Sequence, residues 1–173
     1  MQISPLQGRY EVGQKFTAEI WLKTGDYIIG QAVADISFSE DFLEVVSLKL
    51  TDAFEAANKY SKNNYDNVKG NIHIEGKNNV GIKEDSSLAS VIFKVKKKGN
   101  GRVELVKTSK MYTPDGLQMP IRISSSLYQF ENNGGSANLS NNIIDKNAVV
   151  SDLGGVTGIS NSISTSSILI GQP

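Results

Sequence analysis

Strict alternation of apolar and polar side chains is the feature that most limits how this chain can fold. From Phe16 to Lys23 the even positions are Phe16, Ala18, Ile20 and Leu22, and the odd positions are Thr17, Glu19, Trp21 and Lys23. A period of two is the repeat of a pleated strand and does not fit the 3.6-residue period of a helix. The segment therefore reads as a half-buried strand with its even face inward, closed by a turn at Thr24-Gly25-Asp26. Ala32, Ala34, Ile36 and Phe38 repeat the pattern, with Gln31, Asp35 and Ser37 facing the other way.

Further runs follow at Leu43 to Leu50, Ile72 to Ile74, Ala89 to Val95, Val103 to Leu105 and Ile121 to Leu127. In the first of these the apolar parity flips between Val45 and Val46, which predicts a bulge, because one extra residue moves every later side chain to the opposite face. In the last, Ile121, Ile123 and Leu127 are expected to point inward, and Arg122, Ser124 and Ser126 outward. Gly76 to Gly81 reads as a turn, and Gly99-Asn100-Gly101 as a tight hairpin turn. One helix is expected, from Asp52 to Lys62, with Asp52 as its N-cap. Roughly seven to nine short strands separated by turn signals predict an all-β sandwich of about 130 residues.

The aromatic residues mark where that sandwich ends. All 13 lie between Tyr10 and Phe130, whereas Ser, Asn and Gly make up 21 of the 43 residues from Glu131 onward. Such a segment buries too little apolar surface to offset its ordering entropy. Residues 1–130 are accordingly expected to form the module, and 131–173 a flexible C-terminal linker or tail with short apolar clusters at Ile143-Ile144, Ala148–Val150 and Ile168–Ile170. The 18 basic and 18 acidic side chains cancel, as 17 against 15 in the module and one against three in the tail. This balance leaves no electrostatic footprint for nucleic acid or anionic membrane. No run of 18 apolar residues is present to insert into a bilayer.

Chemistry-bearing residue types are scarce. The chain has no Cys and one His, which excludes thiolate metal sites, cysteine nucleophiles and multi-histidine centres. No catalytic residue, cofactor or metal is expected. His73, between two inward isoleucines, is expected to face away from the core. The acidic pairs Glu40-Asp41 and Glu84-Asp85 read as solvated turn residues, since neighbours in sequence do not converge as a glycosidase pair must. Lys94, Lys96, Lys97 and Lys98 read as a solvated face. Asn138-Leu139-Ser140 has the form of a glycosylation sequon. Trp21 is the most informative residue, because parity places it on the polar side of its strand. It is either covered by a neighbouring element or an exposed aromatic suited to a sugar ring or a protein partner, with the loop residues Tyr27, Tyr60, Tyr65 and Tyr112 as companions.

The order of these segments resembles the bacterial cohesin domain. The carrying residues are Gly8–Ile20 with its Val12-Gly13-Gln14-Lys15-Phe16 opening, Thr24-Gly25, Ala32–Phe38 followed by Phe42-Leu43-Glu44-Val45-Val46, Leu88–Gly99 and Gly101–Val106. The resemblance spans residues 2–127 and implies a nine-stranded jelly-roll sandwich. It further implies a non-catalytic, monomeric binding module, extracellular or on the surface of a bacterial or archaeal cell. The implied partner is a dockerin-like module that gathers polysaccharide-processing proteins. Two readings stay open beside it: a carbohydrate-binding or adhesive module contacting a surface polysaccharide, and a spacer within a surface protein.

Overall fold

A computed structural model describes residues 1–56 and 63–132. The strands in chain order are β1 (Gln2–Ser4), β2 (Gln7–Glu11), β3 (Lys15–Leu22), β4 (Ile29–Phe38), β5 (Leu43–Leu50) and β6 (Glu55–Ala56), then β7 (Asn64–Asp66), β8 (Asn71–Ile82), β9 (Ser86–Val95), β10 (Gly99–Leu105), β11 (Lys110–Tyr112) and β12 (Ser125–Glu131). Four of the twelve, β1, β6, β7 and β11, span only two or three residues. The runs of alternation correspond to β3, β4, β5, β8, β9, β10 and β12.

They form two sheets. The smaller is ordered β1-β3-β9-β5; the larger runs β2-β12-β10-β4-β8-β6, with β7 also on β8 and β11 also on β4. Neighbours are antiparallel except β2 and β12, which run parallel. The chain moves from the smaller to the larger sheet at the cis Ser4–Pro5 bond, so β1 and β2 belong to different layers.

Between the sheets lie the residues assigned inward by parity: Phe16, Ala18, Ile20 and Leu22 of β3, Ala32, Ala34, Ile36 and Phe38 of β4, and Ala89, Val91, Phe93 and Val95 of β9. Phe93 is the hub of this layer. Its ring centre lies 5.6 Å from that of Phe16 and 5.5 Å from that of Phe38, and Phe16 in turn stacks on Tyr10 at 4.1 Å. The bulge in β5 is present: the register against β9 shifts between Val45 and Ser47, which leaves Val46 exposed.

Four sequence expectations are corrected. In the described part of the expected helix, Asp52-Ala53 is a turn and Glu55-Ala56 is strand β6, paired with Lys77-Gly76; residues 57–62 lie outside the described residues. Gly76 to Gly81 is the continuation of β8 rather than a turn, with extra residues bulged out where Ile29 and Gln31 face Ile82 and Lys77. Gly99–Gly101 is strand, and the connection before it, at Lys96–Lys98, joins the smaller sheet to the larger instead of closing a hairpin. Gly99 has φ 145°, and a Cβ there would stand 2.3 Å from the Phe42 ring, so close approach is what requires glycine.

The fourth correction is in β12. Ser126, Tyr128 and Phe130 face the core while Leu127 points to solvent, 58% exposed. One strand has two possible faces, and the two aromatic rings bury more apolar area than one leucine, so they decide which face turns inward. The tail expected over 131–173 lies, beyond Asn132, outside the described residues, as do its apolar clusters and sequon.

Tyr128 also ties the layers together by donating its hydroxyl to the Pro5 carbonyl at 2.8 Å. Burial raises its pKa to about 12. The protonated form is therefore favoured in the folded state, and the folded chain binds more protons than the unfolded chain above pH ~10. This contribution is intact below pH ~10 and is lost as pH rises toward 12. Denaturant melts across that interval are expected to show stability falling with pH, and Tyr128→Phe is expected to flatten the slope.

Candidate protein-docking face

The outward face of the larger sheet is built by the same alternation that fills the core. On β4, Gln31, Val33, Asp35 and Ser37 point out, and on β8, His73 and Glu75 do so on either side of the buried Ile74. Register sets these side chains opposite one another: Gln31 against Lys77, Val33 against Glu75, Asp35 against His73. His73 Nδ1 lies 2.6 Å from Asp35 Oδ1, and Gln31 Nε2 donates to Glu75 Oε1 at 2.8 Å. β10 adds Arg102, 3.2 Å from Glu104, and Leu127 of β12 sits beside Arg102.

The centre of this face is held from behind. The Ser109 hydroxyl accepts from the Asp35 amide and donates to the Asp35 carbonyl, both at 3.1 Å. Val106 N–H bonds the same carbonyl at 2.9 Å. Asp35 thus has its backbone clamped by the segment between β10 and β11 and its carboxylate oriented by His73. A hydrogen-bonded pair this exposed adds only about 0–1 kcal/mol to stability. Its consequence is a positioned acceptor beside an imidazole, with Val33 as the apolar neighbour on β4 and Leu127 farther along the same sheet face on β12.

The smaller sheet presents a different outward face: Lys15, Thr17, Glu19 and Trp21 of β3, Ile92 and Lys94 of β9, and Ser47 and Lys49 of β5. Trp21 is half-buried; its Nε1 donates to Glu19 Oε2 at 2.9 Å, and Lys23 Nζ lies 5.8 Å from the ring centre. The structure distributes the aromatic candidates. Tyr112 lies on β11 opposite Gln31, Tyr65 on β7 opposite Ile72, and Tyr27 in the loop before β4. None of these three joins Trp21 on its sheet face, and Tyr60 lies outside the described residues. Asp85, from the second acidic pair, accepts from Lys23 Nζ and Thr24 N–H, and these bonds hold its carboxyl below the usual carboxylate range. It anchors the turn after β3.

Among the described residues no group of three or more His, Asp or Glu side chains is placed to hold a metal ion. Two recesses of about 620 Å³ are shallow features of the surface: one along β2 and β12 beside Arg9, Asn100, Leu127 and Gln129, the other at the sandwich end beside Leu6, Tyr27, Met119 and Ile123. The parities of Asp35 and His73 are legible in the sequence, but their adjacency is not. It arises from a register between segments 38 residues apart.

Comparison with known proteins agrees with this architecture. The family model described as the cohesin domain matches residues 2–121, ending just before β12. No curated protein matches the chain. Among solved structures, the cohesin of the Coh-OlpA–Doc918 type I cohesin–dockerin complex from Clostridium thermocellum is similar at 16% identity and TM-score 0.59, covering 71% of this chain and 93% of that one. The cohesin module of a family 33 glycoside hydrolase from Clostridium perfringens is similar at 18% identity and TM-score 0.58, covering 72% and 90%. A non-cellulosomal cohesin from the archaeon Archaeoglobus fulgidus is similar at 15% identity and TM-score 0.56, covering 73% and 87%. With a two-sheet sandwich and a family match over most of the described residues, the chain belongs to the cohesin family.

Proposed function

We propose that this cohesin domain is a non-catalytic docking module that binds a dockerin-type protein on the outward face of its larger sheet. The observation that carries the choice of face is the Asp35–His73 pair, its Asp35 backbone clamped by Ser109 and its strand neighbour Val33 on the same face. A preorganised polar centre with apolar neighbours is how a broad, flat surface gains specificity without a deep pocket. The family relation supports a protein partner. It also supports a role outside the cell, where the module gathers polysaccharide-processing proteins. Among the described residues no helix is long and apolar enough to cross a membrane.

The glycan reading has less support. The Trp21 indole N–H is occupied by Glu19, and among the described residues no second aromatic lines up with it for a sugar chain. Calorimetric titration with a panel of recombinant dockerin modules from the source organism, in calcium buffer, tests the proposal. One-to-one binding is expected, with Trp21→Ala changing affinity by less than about twofold. Absence of binding across the panel, with glycan binding abolished by Trp21→Ala, contradicts it.

A further inference from the structure

The β2 edge of the larger sheet carries a row of polar side chains that the docking centre does not use. Register sets Arg9 of β2 beside Gln129 of β12, and Gln129 beside Asn100 of β10, so the row crosses three strands. Gln7 and Leu127 stand side by side before it, and Glu11 and Glu131 after it. Among the described residues, the side chains of Gln7, Arg9, Asn100 and Gln129 form no hydrogen bond or ion pair. Gln31, Asp35 and Arg102, nearer the sheet centre, are each bonded to a neighbour.

The row lies in a depression. Three recesses of about 620, 430 and 460 Å³ adjoin: the first and second share Arg9, the first and third share Asn100 and Gln129, and the second and third share Glu131. Together they make one trough along β12 from Leu127 to Glu131, a span of about 13 Å at the rise of a strand. The lining selects the ligand. A guanidinium and two side-chain amides in one row, unsatisfied by the protein, suit a ligand rich in hydroxyl oxygens. Each of these planar groups spans two neighbouring oxygens, as the vicinal hydroxyls of a sugar ring present them. Glu11 and Glu131 at one end oppose a polyanion, and Arg9 and Lys98 balance them, which favours a neutral chain. Leu127 offers the C–H face of a ring an aliphatic platform at the other end. A peptide strand added to β2 has less to hold, because Glu11 N–H donates to Gln14 Oε1 and the Glu11 carbonyl accepts from Gln14 N–H, both at 2.9 Å, closing that end of the edge.

We propose that the β2–β12–β10 trough binds a neutral, linear oligosaccharide, whose hydroxyls are held at the centre by Arg9, Gln129 and Asn100. The site uses planar polar groups instead of aromatic rings. It lies on the sheet opposite Trp21 and on other strands than Asp35 and His73, so it does not depend on the docking reading.

The test is amide chemical-shift titration of the isotope-labelled chain with cellohexaose, xylohexaose and mannohexaose, three neutral β-1,4-linked hexasaccharides. At least one is expected to give saturable shifts on β2, β12 and the start of β10, centred on Arg9 and Gln129. Arg9→Ala/Gln129→Ala is expected to weaken that binding about tenfold or more with an unchanged melting temperature. Asp35→Arg is expected to change it by less than about twofold. No saturable shift with any of the three sugars overturns the proposal. Shifts centred on Trp21, wild-type affinity in the folded double variant, or binding lost in Asp35→Arg place the sugar elsewhere and also overturn it. The wild-type shift map decides the location if the double variant is destabilised.

Discussion

Phe93→Ala is expected to destabilise the module by about 3–5 kcal/mol, the range for deleting a buried aromatic ring. Phe93 is fully buried on β9, the strand flanked by β3 and β5 in the smaller sheet, and its ring meets Phe16 of its own sheet and Phe38 of the other. Against a total of about 5–15 kcal/mol this is a large fraction. The melting temperature is expected to fall by on the order of 10 °C. Phe93→Leu, which keeps most of the volume, is expected to cost about 1–1.5 kcal/mol. Chemical denaturation of the three proteins checks this. An alanine variant within about 1 kcal/mol of wild type contradicts the packing of the two sheets around this ring.

Asp35→Arg is expected to produce the largest loss of function with little loss of fold. It removes the acceptor at the centre of the docking face and reverses its charge beside His73. The backbone clamp from Ser109 and Val106 uses main-chain atoms of residue 35 and survives the change. Because the Asp35–His73 pair is partly exposed, the stability change is expected to stay within about 1 kcal/mol. Dockerin affinity is expected to fall by about 30-fold or more, the effect of about 2 kcal/mol lost at an interface centre. Thr17→Arg, on the outward face of the smaller sheet, is expected to change affinity by less than about twofold. If the two variants exchange these outcomes, docking belongs to the smaller sheet.

Most of the fold was legible because the inward and outward assignments of β3, β4 and β9 depend only on local alternation. The bulge after Val45 was legible for the same reason, since a parity flip is a local signal. Alternation fails where two inward choices compete within one strand. In β12 the Leu127 parity and the Tyr128–Phe130 parity are mutually exclusive, and the larger rings take the core. It fails also where pairing partners decide the outcome. Glu55-Ala56 extends because β8 offers a free edge, against a helical local preference. Gly99 lies in a strand because Phe42 packs against it, although Gly-Asn-Gly read alone is a turn.

The docking face shows the same division. That Gln31, Asp35 and His73 face outward follows from parity, whereas their assembly into one hydrogen-bonded centre needs the β4–β8 register. The aromatic candidates stand out by residue type alone, and the topology sends the four that lie among the described residues to different parts of the surface.

Amide chemical-shift mapping of the isotope-labelled chain during titration with a calcium-loaded dockerin module tests the docking face most directly. The expected result is a contiguous set of shifted amides on β4, β8 and β10, centred on Asp35 and His73 and reaching Leu127, with β3 and β9 unperturbed. Saturable shifts concentrated on the outward residues of β3, β9 and β5, around Trp21 and Ile92, are the result that would contradict it.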